Sequence, residues 1–538
     1  MYRSLFVPLL LLLPLLGFAH GDMQHMQEGQ QAAANPAALA AGAAFDNQGR
    51  LWIASAHDNY IWLRHSDDYG KTLSTPVKVN QQPEPIFVSA EISPKVAVGP
   101  DGTIYVTWSV LPKADPPHWW KINVRFARST DDGKHFSKPV TINDDRGRYT
   151  HSYDALAVDH NGRVYIAWLD ARNNKAAAAA NQSYRGLSVY YTWSDDDGQS
   201  FASNHKLADH SCECCRIALS PTPNGQMAAF YRMVYSGQIR DHAFSILRTQ
   251  GQPKQPERAT FSNWHITACP EHGPGLAIGN DGIRHGVWFE ASNGPAIWYG
   301  QLQPGQPPAR KLKVAGPGAS HADIAVHDKT VWLTWNQVSD TGYKLKLRVS
   351  HDSGKHFAQE RVIASASGAV DSPQLMLNDG HAYVAWNTAA GFRLVAVQPQ
   401  RDATLVSLTM DDIPNLLATP KQGKRVVEFW ALYCVYCEPN LSALAKLEQA
   451  YPERMRLVTV ATDGMAQRET IMARLQHMHM ATYPARAYAS TNPARMNYRI
   501  AKNWGGTLPF TVVIDANGSR HDYLGKLTTA QLKQIAPD

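Results

Sequence analysis

Ser129-Thr-Asp-Asp-Gly-Lys-His-Phe136 decides the fold, because its pattern, Ser-x-Asp-x-Gly-x-x-apolar, recurs at 66–73, 194–201 and 350–357. Each copy follows a β-branched and aromatic run. Each therefore reads as a hairpin in which the Asp carboxylate and Ser hydroxyl satisfy turn amides, while Gly supplies a backbone state that other residues resist. A second signal, a turn followed by an apolar strand, starts near Gly49, Gly102, Gly162, Gly225, Gly282, Lys329 and Gly380, at intervals of about 47 to 63 residues. Short apolar strands such as 94–98, 153–158 and 322–326 precede these starts. Three or four strands per period of this length indicate propeller blades. The starts give seven blades, with six as the alternative count.

At 538 residues the chain is too long for one core. Its 33 Pro, 37 Gly, 15 Trp and 22 Tyr favour short strands joined by turns over a helical protein. The net charge of +6 is small and comes with no Lys/Arg stripe, which argues against nucleic acid as a partner.

Residues 1–19 combine Arg3, a Leu-rich run over 5–16 and a small-x-small end at Gly17-Phe-Ala19. This pattern predicts an export signal rather than a membrane helix, and no comparable apolar run follows, so the mature chain is expected to carry no transmembrane segment. A periplasmic or secreted soluble protein is expected, in a compartment where disulfides form. The leader over 20–37 contains His20, Met23, His25 and Met26, and reads as a flexible tail or a weak copper patch. The propeller is expected over 38–404 and a second domain over 405–538.

In a propeller the first strand of each blade lines the central channel. The residues just before those strands, or at their starts, are Glu91, His151 and Asp154, the run Cys212-Glu-Cys-Cys215 with Arg216, Cys269 with His272, His321 with Asp323, and Asp371. Repeat phase thus draws Cys212, Cys214, Cys215 and Cys269 into one neighbourhood. His210, His265 and His272 are further candidate ligands. Thiolates and imidazoles suit Cu(I) or Zn(II), whereas two disulfides would need no metal and a redox-active thiol cluster is a third reading. Residues 115–120, Asp-Pro-Pro-His-Trp-Trp, form a hairpin insertion with aromatics suited to a partner or to capping a blade. The Ala-rich stretch 172–181 reads as a surface loop.

The repeated boxes resemble the Asp-box of sialidases and related propeller proteins over roughly 38–400, which implies the fold. The family's arginine triad would be needed for glycoside hydrolysis. Arg146, Arg148, Arg172 and Arg216 do not match it and the early arginine motif is absent, so sialidase activity is not expected.

From Lys424 the pattern changes to strands alternating with helices, an α/β unit. A strand over 425–430 leads to Cys434-Val-Tyr-Cys437. An amphipathic helix through Leu441, Leu444 and Leu447 follows, and Leu508-Pro509 stands before a further strand. This arrangement resembles the thioredoxin fold, in its exported thiol:disulfide oxidoreductase branch. The resemblance implies that Pro509 is cis and faces the cysteines. Tyr433 stands where the family usually has Trp. Cys434, near a helix start, would be the attacking thiolate and Cys437 the resolving one. The run His477-Met-His-Met480 with Met472 reads as a helix with a soft packing face, in preference to a copper loop.

The expected architecture is therefore an all-β propeller followed by an α/β thioredoxin-like domain. The expected function is thiol–disulfide exchange with protein thiols or disulfides, with a membrane redox protein as candidate partner and no cofactor required by the redox domain. Two alternatives stand beside it: a copper- or zinc-handling protein using the propeller cysteines, and a glycan- or protein-binding propeller with an accessory redox domain.

Overall fold

The computed structural model describes residues 39, 41–89, 91–111, 121–145, 149–397, 405–452, 454–478, 480, 483–489 and 492–537. The export signal, the His/Met leader, the insertion 115–120, Arg146 and Arg148 lie outside the described residues. The chain divides into two compact units, Met1–Gln398 and Pro399–Asp538.

The first unit is built of seven antiparallel sheets in chain order: five of four strands, the second with a fifth, Ile86–Phe87, and the seventh with three. The count is seven blades. Inner strands Ala41–Phe45, Lys95–Val98, His151–Val158, Ala218–Pro221, Gly275–Ile278, Ala319–His327 and Gln374–Asn378 each lie against the next, and the last returns to the first. Side chains fasten the closure: Gln374 Nε2 donates to the Ala43 carbonyl at 3.0 Å and Asn387 Nδ2 to that of Ala41 at 2.8 Å. The strands that follow the seven turn signals carry the blade cores. Trp108, Trp168, Trp288, Trp335 and Trp386 are fully buried there, each removing on the order of 200 Å² from water, about 5 kcal/mol of gross hydrophobic gain.

The four boxes form the expected turns. In the second blade Ser129 Oγ accepts from Gly133 N at 3.0 Å and Asp131 Oδ1 accepts from His135 N at 2.9 Å. The same bonds recur around Ser66, Ser194 and Ser350. Gly133 has φ 72°, and the residue before it, Asp132, is also left-handed at 58°. Backbone amides bound to the carboxylates hold Asp68 and Asp131 down at about 2.

One local reading changes. Residues 172–179 are a helix, Arg172–Ala179, not a loop. Alanine has the highest helix propensity, and Asp170 Oδ1 accepts from the Arg172 amide at 2.9 Å at its start.

The second unit has a six-stranded sheet in the order Val406–Leu408, Ala485–Tyr488, Met455–Gly464, Lys424–Trp430, Phe510–Asp515, Arg520–Leu524. The first four strands are parallel and the last two antiparallel. Strand alternation puts Val426 and Trp430 on the face covered by helix Cys437–Ala450, and Val427 and Phe429 on the face covered by Pro493–Ile500. The Leu508–Pro509 peptide is cis. Helix Arg468–His477 carries Met472 against the first face, with Met478 and Met480 buried beyond it, so these methionines pack the core. Among the described residues no helix is long and apolar enough to cross a membrane.

Candidate functional site

Cys434 and Cys437 are joined in a disulfide where strand Lys424–Trp430 passes into helix Cys437–Ala450. The two sulfurs differ in access. Cys437 is 1% exposed, whereas Cys434 is half-buried and flanked by Tyr433, Val435 and Tyr436, which stand 77%, 73% and 63% exposed. An incoming sulfur therefore meets Cys434, and the surface around it is apolar and aromatic. A thiolate at Cys434 lies beside the first-turn amides of the helix, which favour negative charge. Glu438 in that turn is paired with Arg474 at 3.0 Å.

On the sheet face covered by helix Cys437–Ala450 lies a group that sequence reasoning missed. Glu428 is fully buried, on the same strand face as Val426 and Trp430, and its Oε2 accepts from Thr511 Oγ1. Burial pushes its carboxyl up to about 7, and hydrogen bonding only partly offsets the effect. Asn440, in the covering helix, donates to the Gly525 carbonyl at 3.1 Å and accepts from Leu527 N at 2.9 Å. The only signal in the sequence was one carboxylate inside an apolar strand run.

In the propeller the structure brings together most of the axial residues. A cavity of about 200 Å³ between the inner strands is lined by Glu91, Asp154, Arg216, Asp323, Asp371 and Ser372, among others. Arg216 donates to Glu91 Oε1 at 3.0 Å and to the Ala322 carbonyl at 2.8 Å, and Ser372 Oγ donates to Glu91 at 2.8 Å. His321 Nε2 lies 3.2 Å from Glu91, and its ring is 4.8 Å from that of His272. Burial lowers His321 despite Glu91, and lowers His272 to about 2, so both rings are neutral near pH 7. Burial also pushes Asp371 up to about 8.

Beside this cavity Cys212, Cys214 and Cys215 form a knot 0%, 2% and 2% exposed. Cys212 Sγ lies 3.8 Å from Cys214 Sγ and 3.5 Å from Cys215 Sγ, and the three are unbonded. Cys269 is exposed and free. The two-disulfide reading is thus replaced by four free thiols. Hydrogen bonds from Cys214 and Cys215 pull Cys212 well below the ordinary thiol range, against its burial and with help from Arg232 and Arg240. The same bonding holds Cys214 up, and burial holds Cys215 up. Arg240 Nη1 is 3.2 Å from Cys212 Sγ and 2.8 Å from Glu213. Arg232, 1% exposed, is held by the carbonyls of Arg240, His272 and Phe289. Neither arginine was singled out from the sequence.

Three predicted site residues, the axial His151 and the candidate ligands His210 and His265, sit elsewhere. His151 turns to the Ile122 carbonyl at 3.0 Å and to Asp145 and Asp170 at 3.0 and 3.6 Å. A bulge between Ser152 and Ala155, with Tyr153 at φ 56°, breaks the strand phase that was expected to aim His151 at the axis. His210 lies against Tyr184 and the Arg185 backbone, and His265 is exposed and bridges Ile239 through its backbone.

No protein-family model matches the chain. The thioredoxin-like protein YneN of Bacillus subtilis is 22% identical over 156 residues, 28% of this chain and 88% of that protein. The C-terminal α/β unit is distantly related to thioredoxin-like proteins. Among solved structures, the Hadza microbial sialidase Hz136 shares 13% identity over 64% of this chain and 76% of its own, with a TM-score of 0.40. Polysaccharide lyase Uly1 shares 11% over 68% of this chain and 91% of its own, with a TM-score of 0.43. These likenesses carry no argument about what the propeller does. The Cys-x-x-Cys at Cys434 and Cys437 is consistent with redox chemistry.

Proposed function

We propose that the chain exchanges disulfides with protein thiols in an oxidising compartment outside the cytoplasm, through Cys434 and Cys437. The observation that carries this reading is the asymmetry of the pair: a reachable sulfur bonded to a buried one at a helix start. In the oxidised state a substrate thiolate attacks Cys434 Sγ and Cys437 leaves as a thiolate. A second substrate thiolate then attacks the substrate sulfur of the mixed disulfide, and Cys434 leaves. Two electrons have passed to the protein. In reverse, the Cys434 thiolate attacks a substrate disulfide, and Cys437 resolves the adduct by attacking Cys434. We assign Glu428, buried on the strand that leads to the pair, the role of a proton acceptor near pH 7. The exposed Tyr433, Val435 and Tyr436 offer an apolar surface for a protein substrate, and an external thiol partner resets the redox state.

Cys434→Ser in the full chain is expected to reduce exchange with a small protein disulfide to the uncatalysed rate, while Cys269→Ser leaves it intact. A turnover assay with both variants checks this. Exchange that survives in Cys434→Ser, or vanishes in Cys269→Ser, moves the active site to the propeller thiols.

A further inference from the structure

We infer that Cys212, Cys214 and Cys215 form a buried three-thiolate site for Cu(I), distinct from the exchange pair at Cys434 and Cys437. The three sulfurs all lie within 4.8 Å of one another. Two observed separations, 3.8 and 3.5 Å, are far from the roughly 2.05 Å of a disulfide. They approach the edge of about 4.0 Å that three sulfurs about 2.3 Å from one shared metal ion would span in a trigonal site.

Charge also fits. Three thiolates and one Cu(I) leave two negative charges in a buried site, and two guanidiniums stand around the knot, Arg232 and Arg240, the latter shared with Glu213. Arg240 donates directly to Cys212. The neighbours Ile217, Met233 and Val234 are buried and apolar, so the pocket favours a soft ion that sheds its water readily over a hard oxygen-seeking one. A Zn(II) site of the closed structural type would take four protein ligands. Here the fourth sulfur, Cys269, stands outside the mutually close group and in solvent.

The test uses full-length protein carrying Cys434→Ser and Cys437→Ser, so that the exchange pair takes no metal, reduced and handled without oxygen. Cu(I) is titrated in competition with a chromogenic Cu(I) chelator. The expected result is one Cu(I) retained per chain, lost when Cys212 and Cys214 are also changed to Ser, and retained in Cys269→Ser. X-ray absorption on the protein with its propeller thiols intact reads the first shell without touching the knot, so a variant that folds poorly does not decide the outcome. Three sulfur scatterers support the assignment. It is overturned by surrender of all Cu(I) to the chelator, by Cu(I) bound equally after loss of Cys212 and Cys214 in a chain whose circular dichroism is unchanged, or by a four-sulfur Zn(II) site that requires Cys269.

Discussion

Arg216→Ala is expected to cost about 3 kcal/mol of folding stability, because it strands a buried carboxylate. Glu91 keeps only 5% of its side chain exposed, and Arg216 is the cation 3.0 Å from it, itself 20% exposed to the axial cavity. His321 and Ser372 remain as partners of Glu91 after the change, but burial disfavours a charge on His321 and a hydroxyl carries none. The guanidinium also ties the inner strand of the sixth blade through the Ala322 carbonyl, so its loss loosens the ring as well. Glu91→Gln in the same chain should recover a substantial part of the loss, since the amide needs no counter-charge. Urea unfolding of the two single variants and the double variant checks the cycle. An Arg216→Ala chain as stable as the parent, or a double variant no better than Arg216→Ala, contradicts the pairing as a structural element.

Glu428→Gln is expected to act in the opposite direction. A carboxyl held at about 7 in the folded chain, against its ordinary value of 4.5, binds a proton on folding between those two pH values. Stability from this group therefore falls as pH rises through that window and then levels off. The penalty approaches about 3 kcal/mol above pH 7, at 1.36 kcal/mol per pH unit. Gln removes the ionisation while keeping an acceptor for Thr511. The variant should match the parent near pH 4 and exceed it by roughly 2–3 kcal/mol near pH 8. It should also lose the pH dependence of exchange near pH 7. Denaturation at both pH values reads the first effect and exchange rates across pH the second. A constant difference at pH 4 and pH 8 would show that Glu428 does not titrate in this window.

The repeats made the propeller legible before any coordinates. Four boxes with the same Ser, Asp and Gly spacing, and seven turn-and-strand starts, mark out the blades because each blade repeats the same turn chemistry. Repeat phase also placed Glu91 with Arg216 and His321, since residues at equivalent positions around a closed ring converge on its axis. The same logic failed for His151, where one extra residue in the strand turned the ring into the blade. It could not see Glu428, Arg232 or Arg240, whose importance comes from what surrounds them: single charges in apolar runs read as strand residues until the packing shows that they are buried. Helix Arg172–Ala179 escaped because two turns of mostly alanine carry no hydrophobic stripe.

Trapping the exchange intermediate tests the central claim most directly. Full-length protein with Cys437→Ser, reduced and mixed with a small protein disulfide, cannot resolve its adduct. Peptide mapping by mass spectrometry should find a stable mixed disulfide on Cys434. An adduct on Cys269, or none on Cys434 while the substrate is still consumed, would contradict exchange through this pair.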